Sequence, residues 1–489
     1  MPQPASAKHP PFGAALRPHL TRTKTIATVG PACATQEMLQ NLILEGVDVF
    51  RLNMAHGSRE DHQQAVDNIR AACLHVGMAA GILVDLAGPK IRLGQLHTEP
   101  LQLGNGAEVE ILKEGEPKQA CELTCTYAPL VDELKVDDEI MLQDGLVRLK
   151  VIEKLASRVR CRVIEGGEIR SRQGVNLPGV DLGVPALLEQ DRKNAVWAAE
   201  NEVEFVSLSF VRRAEEIAEL KELLQQHASQ AMVMAKIEKR EAMENLDSIV
   251  QEADAIMVAR GDLGVEIEIE KTPLAQKKII RACSRLGRPV VVATQMLESM
   301  LKNARPTRAE ASDVANAILD GADACMLSGE TAIGDYPLEA VRIMRKIQKE
   351  TEQMLQGRPS RMRSAEQVAK QDVTEAVIFG AALIARRVQA KLVMIATEDG
   401  NAAIIKSKQR DFIPTLAVTN DPKVVNRMCL LWGVASARLD SLEIGMMREW
   451  VEKWAKDTAL LESGDRILFV ADTEVWEGVH DTVMVWMVP

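Results

Sequence analysis

Short apolar runs alternate with stretches of helical period through the middle of this chain, and that alternation limits the fold more than any other feature. The runs are 24–30 (KTIATVG), 49–53 (VFRLN), 81–86 (GILVDL), 205–210 (FVSLSF), 232–238 (MVMAKIE), 255–260 (AIMVAR), 289–296 (PVVVATQM) and 324–328 (ACMLS). Amphipathic stretches lie between and after them, at 36–46, 59–76, 187–202, 214–228, 241–252, 273–286, 307–320 and 338–350. A strand that feeds a helix and then another strand specifies parallel pairing, because each return to the sheet needs a crossover. Eight such units predict an α/β fold, a closed TIM-type (β/α)8 barrel. An open doubly wound sheet obeys the same local pattern, so periodicity alone leaves closure open.

One segment breaks the rhythm. Between Gly94 and about Val180, short alternating runs (AEVEILKEG, EIMLQDGLVRLKVIE, SRVRCRVIEGGEI) are punctuated by Gly and Asp, which reads as a small β-barrel inserted after the third strand. After residue 355 comes a polar stretch (GRPSRMRS) and then a new α/β run: helix 373–388, strand 391–396, helix 400–408, strand 414–418, and closing strands near 467–471 and 482–488. The expected division is a loose arm over 1–20, a barrel over 21–89 and 181–354, an inserted lid over 90–180 and a C-terminal α/β domain over 355–489.

Composition removes several function classes. A net charge of −11 argues against nucleic acid as a partner, although an acidic surface can surround a basic pocket for anionic metabolites. No run approaches a membrane span. The eight cysteines include no C-x-x-C pair and no His at zinc spacing, so reduced thiols and a cytoplasmic location are expected. Residues 1–20 carry no acidic residue, yet a loose arm explains them better than a transit peptide.

In such a barrel the chemistry belongs at the carboxyl ends of the strands. Strand two ends in Arg51 and Asn53, strand three in Asp85, and strand five in Lys236 and Glu238. Strand six runs into Arg260-Gly261-Asp262, strand seven carries Thr294, and strand eight leads into Ser328-Gly329-Glu330-Thr331. Any one of these could be a satisfied core residue; together at one rim they predict a site. Glu238 and Asp262 are hard oxygen ligands suited to Mg²⁺. Lys236 and Arg51 are cations able to neutralise a phosphoryl group in transfer. No G-x-x-x-x-G-K-[ST] loop is present, so nucleotide phosphates are not expected to rest on a P-loop.

Several longer motifs carry a family resemblance: TIATVGPAC (25–33), RLNMAHGS (51–58), GPKIRLG (88–94), GVNLPG (174–179), AKIEKREAM (235–243), MVARGDLGVE (257–266), ATQMLESM (293–300) and RPTRAEASDVANAILDGADACMLSGETAIGDYP (305–337). In order and spacing the chain resembles the pyruvate kinases over nearly its whole length. The resemblance implies transfer of a phosphoryl group from phosphoenolpyruvate to ADP, giving pyruvate and ATP at the end of glycolysis. It also implies a Mg²⁺ cofactor (or Mn²⁺ in its place) and a homotetramer. By the same resemblance Arg51 and Lys236 contact the phosphoryl group, and Glu238 and Asp262 bind the metal. Gly261 and Asp262 face the substrate carboxylate through backbone N–H groups, and Thr294 lines the pocket where C3 of the enolate is protonated. His56 and Arg92 are nucleotide contacts and Asn53 borders both halves. A lid hinged near Gly94 and Val180 would close over ADP. Two alternatives share the metal pair or the scaffold: another Mg²⁺-dependent barrel enzyme acting on pyruvate or phosphoenolpyruvate, and an inactive regulatory homologue.

The chain departs from the family in three places. Many members hold K⁺ with an Asn, a Ser, an Asp and a Thr carbonyl; here Asn53 and Asp85 remain, but Ala55 and Leu86 replace the other two. The usual lid-proximal Glu is Lys90, followed by Leu93. An ammonium there would replace the ion beside Asp85, so K⁺ is not expected to be required. Gln173 stands where a nucleotide-facing Lys is common, which leaves base preference open. The loop Thr397-Glu398-Asp399-Gly400-Asn401-Ala402 carries two carboxylates where sugar-phosphate-regulated members have hydroxyls, which disfavours fructose 1,6-bisphosphate.

Overall fold

The computed structural model describes residues 21–489 apart from 144, 181–182, 357–372, 459 and 473–480. The N-terminal arm and the polar stretch GRPSRMRS, both singled out in the sequence, lie outside the described residues.

Closure, which periodicity left open, is present. Strands Lys24–Thr28, Val49–Asn53, Gly81–Asp85, Phe205–Leu208, Met232–Ile237, Ala255–Ala259, Val290–Ala293 and Ala324–Leu327 form one closed, all-parallel barrel in which the eighth pairs with the first. Nearly every residue of these strands is buried, because helices cover the outer face and side chains fill the inner one. With aromatics at 3 %, that filling comes from Ile26, Val49, Leu83, Met234, Met257, Val291 and Met326, with Phe205 the one aromatic ring. Cys429 and Leu430, contributed by the C-terminal domain, complete the same cluster.

The covering helices begin and end where local chemistry dictates. Helix Arg59–Val76 starts at a capping box in which Ser58 and Asp61 exchange hydrogen bonds, and stops at Gly77 with φ 66°. Helix Arg308–Asp320 repeats the arrangement with Thr307, Glu310 and Gly321. Two expectations need correction. The stretch 241–252 is two helices, Arg240–Glu244 and Leu246–Glu252, because Asn245 leaves helical geometry at φ −96°, ψ 19°. Thr294 is not on strand seven, which ends at Ala293; it opens the following loop in a left-handed conformation.

The insert is a small barrel of its own. Six strands pair as one ladder around a single apolar core, and a two-stranded ribbon, Leu101–Leu103 with Gly167–Ile169, sits beside it. The ladder is closed by the entering segment: Arg92 bridges Gly174 and Leu93 bridges Cys125. In the C-terminal domain a five-stranded sheet is parallel except for its edge strand Thr482–Met487. Its strand Val434–Arg438 and helices Pro422–Arg427 and Ile444–Thr458 did not emerge from the sequence pattern.

Candidate active site

Parallel register brings the predicted residues to one rim. Arg51 and Asp85 lie near the ends of neighbouring strands, with Arg51 opposite Leu83 and Asn53 opposite Asp85. Asp85 is almost fully buried, and Arg51 reaches it through Nε at 2.8 Å and Nη2 at 2.6 Å. A third donor from Arg51, Nη1, meets Thr28 Oγ1 at 3.1 Å. The guanidinium is thereby fixed before any ligand arrives.

Lys236 occupies the centre. Its ammonium donates to Ser209 Oγ at 2.7 Å and lies 2.8 Å from Glu238 Oε1 and 3.4 Å from Asp85 Oδ1. Burial would lower the pKa of such a lysine, but Asp85 and Glu238 outweigh it and push the value well above the ordinary one. Asp85 shows the complementary effect: burial would raise its carboxyl, yet Lys236 and Arg51 hold it below the usual carboxylate range. Glu238 shifts the other way. Burial raises its carboxyl, Lys236 only partly offsets that, and Asp262 adds like-charge repulsion.

Glu238 Oε2 accepts the Phe210 N–H at 2.7 Å, whereas Oε1 faces the Lys236 ammonium without an aligned hydrogen bond. Asp262 projects from the first turn of helix Arg260–Glu266 and stays partly exposed. A buried carboxylate oxygen with spare acceptor capacity together with a partly exposed carboxylate fits Mg²⁺, which takes one or two protein carboxylates and leaves positions for substrate oxygens. Among the described residues no cluster of three or more acidic, His or Cys side chains offers a complete protein cage.

Gly261, Asp262, Thr294, Ser328 and Lys90 line a cleft of about 820 Å³ at the barrel mouth. Thr294 has φ 67° and Gln295 φ 52°, uncommon for side-chain-bearing residues and especially for a β-branched one. Thr294 Oγ1 accepts the Gly261 N–H at 2.8 Å and donates to the Ala293 carbonyl at 2.7 Å. The Gly261 N–H is therefore already engaged here.

The structure does not bring every expected residue together. His56 is exposed after strand two, and Asn53 Oδ1 accepts the Ala55 N–H at 3.2 Å. Arg92 lies in the insert with Nη1 on the Arg172 carbonyl at 3.2 Å; among the described residues no hydrogen bond or ion pair joins it to Asn53 or His56. Lys90 is also placed differently from the expectation. Its ammonium lies 4.0 Å from Asp262 Oδ1, not beside Asp85, whose charge Arg51 and Lys236 already compensate.

Sequence reasoning missed three residues, Ser207, Ser209 and Thr28, and named Arg260 without its role. Ser207 Oγ donates to Asp85 Oδ1 at 2.6 Å, and Ser209 Oγ donates to the Leu86 carbonyl at 2.7 Å while accepting Lys236. Thr28 braces Arg51, and Arg260 holds the loop after strand seven. The two serines carried a usable signal: they stand two positions apart in one apolar run, Ser207 in the strand and Ser209 just past its end, and so fall on one side of it.

Residues 20–341 match the family described as "Pyruvate kinase, barrel domain", and residues 375–486 match "Pyruvate kinase, alpha/beta domain". A pyruvate kinase of Geobacillus stearothermophilus is 38 % identical over 463 residues, covering 93 % of this chain and 78 % of the relative. One from Bacillus licheniformis is 38 % identical over 474 residues, covering 96 % and 81 %. A crystal structure of a pyruvate kinase from Cryptosporidium parvum superposes with a TM-score of 0.89 at 35 % identity, covering 96 % of this chain and 97 % of that one. With both halves of the chain matched and the barrel, insert and C-terminal sheet arranged as described, this chain belongs to the pyruvate kinase family.

Proposed function

We propose that the chain transfers the phosphoryl group of phosphoenolpyruvate to ADP, giving pyruvate and ATP, and does so without K⁺. The observation that carries the reading is the Lys236 ammonium, buried between Asp85, Glu238 and Ser209 at the rim where Asp262 enters the cleft. Phosphoryl transfer asks chiefly for alignment and charge neutralisation. Lys236 and the Asp85-braced Arg51 supply fixed positive charge to the phosphoryl oxygens, and Lys236 also faces the enolate oxygen. Mg²⁺, held by Glu238 and Asp262, would add Lewis-acid stabilisation of that oxygen when bound. Thr294 lies on the side from which a proton reaches C3. Asn53, His56 and Arg92 serve the nucleotide, and the insert closes over it to exclude water. We place the enzyme in the cytoplasm as a homotetramer; the strongly exposed Ile269 and Leu274 fit a subunit contact.

The absence of a K⁺ requirement rests on the oxygens around Asp85. The Leu86 carbonyl accepts the Ser209 hydroxyl, Ala55 has no side-chain oxygen, and Asp85 is engaged by Arg51, Ser207 and Lys236. Lys90 adds a tethered cation at the cleft. The test is ATP formation from phosphoenolpyruvate and ADP with Mg²⁺ in Na⁺, K⁺ or tetramethylammonium buffers. Equal rates in all three are expected, and Lys90→Glu is expected to lower the rate and make the remainder respond to K⁺. No ATP formation would refute the reaction; strong K⁺ activation of the unmodified chain would refute only the cation reading.

A further inference from the structure

Helix Arg260–Glu266 carries Asp262 but has only seven residues, and a helix this short is marginal in water without outside support. Its place is set by what it is tied to. At its start the Gly261 N–H rests on Thr294 Oγ1 and Arg260 reaches the Thr294 carbonyl, both at 2.8 Å, so that end belongs to the loop after strand seven. At its other end Glu266, the last helical residue, is almost fully buried and accepts the Lys239 ammonium at 2.5 Å. Arg240 Nη2 adds a longer bond to the Glu266 carbonyl at 3.4 Å.

Lys239 follows Glu238 directly, beyond the end of strand five. Asp262 and Glu266 stand four residues apart in their helix and so share a face. The Lys239–Glu266 bond therefore joins the backbone that presents one carboxylate to the helix that presents the other. Like charges on Glu238 and Asp262 repel, so contacts within the chain must set their separation. Among the described residues Lys239 is the one cation within 4.0 Å of Glu266, whose Oε2 is buried with no hydrogen-bond partner. The pair lines a crevice of about 50 Å³ together with Pro89, Ile91, Val175 and Leu177 at the base of the insert. Apolar walls keep the attraction weakly screened, and they make either charge costly without the other.

We propose that Lys239 and Glu266 are positioning residues for the divalent cation, their buried ion pair setting the separation of Glu238 and Asp262. The inference rests on the reading that those two carboxylates bind Mg²⁺, and it adds which contact makes them a pair. Groups that orient metal ligands contribute about 10–100-fold to metal affinity. Lys239 has two opposed effects on a cation at this site. As a nearby positive charge it repels the ion, whereas as an anchor it holds the ligands in place. Removing it separates the two: a field effect alone tightens metal binding, and loss of the anchor weakens it.

The test is titration of the intact chain with Mn²⁺, without phosphoenolpyruvate or nucleotide, the free ion being read by its electron paramagnetic resonance signal. The unmodified chain is expected to bind Mn²⁺, and Asp262→Asn to lose that site. Lys239→Met and Glu266→Gln are each expected to weaken Mn²⁺ binding about tenfold, while Lys239→Arg, which keeps the charge and the reach, stays within about twofold. Should Lys239→Met not fold, Lys239→Gln removes the charge but leaves Glu266 a polar partner, and it is expected to weaken binding in the same direction. Unchanged or tighter Mn²⁺ binding in the folded Met or Gln variant, or an equal loss with Lys239→Arg, overturns this inference and leaves the metal assignment standing. No Mn²⁺ bound by the unmodified chain, or binding that survives Asp262→Asn, overturns the metal assignment and this inference with it.

Discussion

Thr294 holds a backbone conformation that a β-branched residue seldom adopts, and such strain persists only where neighbours enforce it. Arg260 is the enforcing neighbour. Its Nη2 donates to the Thr294 carbonyl at 2.8 Å, and its Nη1 is anchored by Asp313 at 2.6 Å. Arg260→Gln is therefore expected to release the loop and lower kcat about tenfold while KM changes little, an effect steady-state kinetics would resolve. A larger loss is expected at Lys236. Its replacement by Met removes the charge that we assign to the transferring group and leaves Asp85 and Glu238 without their shared cation, so turnover is expected to fall by ~10³-fold or more. Retention of a tenth of the wild-type rate would contradict that role. At this scale the sequence disclosed which acids and bases stand at strand ends, because strand polarity alone places them. It did not disclose partners. Nothing in the chain order indicates that Lys90 meets Asp262 rather than Asp85, since that depends on how the insert leaves the barrel.

Elements were legible where a local rule decides them. The helix over 59–76 starts and ends as its Ser, Asp and Gly dictate, and strand limits fell within a few residues of the apolar runs. Where tertiary contacts decide, the pattern was silent: Asn245 splits a helix, and the seven-residue helix Arg260–Glu266 follows directly on a strand. Glu310 shows how one residue can serve two elements. It caps its own helix at Thr307 and also takes Ser299 N–H at 2.7 Å and Ser299 Oγ at 2.5 Å, fastening the active-site loop to that helix. Burial by itself would raise its carboxyl, but the donors on Ser299 and Thr307 prevail and lower it. A carboxyl depressed in the folded state stabilises above its unfolded pKa, near 4.5, and that contribution fades as the pH falls through the lower folded value. Glu310→Ala is accordingly expected to cost about 1–2 kcal/mol at neutral pH, with the Tm difference from wild type shrinking below about pH 4.

In the whole molecule, the C-terminal domain is fastened to the barrel floor by Asp323, which is fully buried and meets Lys408 and Arg410. Removing one partner of a buried charge cluster strands the others, so Asp323→Asn is expected to destabilise by about 3 kcal/mol, measurable by denaturant unfolding. An unchanged midpoint would show that the latch contributes nothing. The three-part organisation was visible in the sequence as changes of period, from 3.6 to 2 and back, but the docking was not, because Cys429 and Leu430 look like ordinary helix residues until they are found inside the barrel cluster. The insert's self-closure carries a separate consequence. Residues 92 and 93 bridge 174 and 125, so the chain leaves the barrel and returns to it at neighbouring points. For the barrel, the long excursion then imposes little more closure entropy than a tight turn would. Such a module can be lengthened, shortened or exchanged in descent without disturbing the order in which the eight strands find one another.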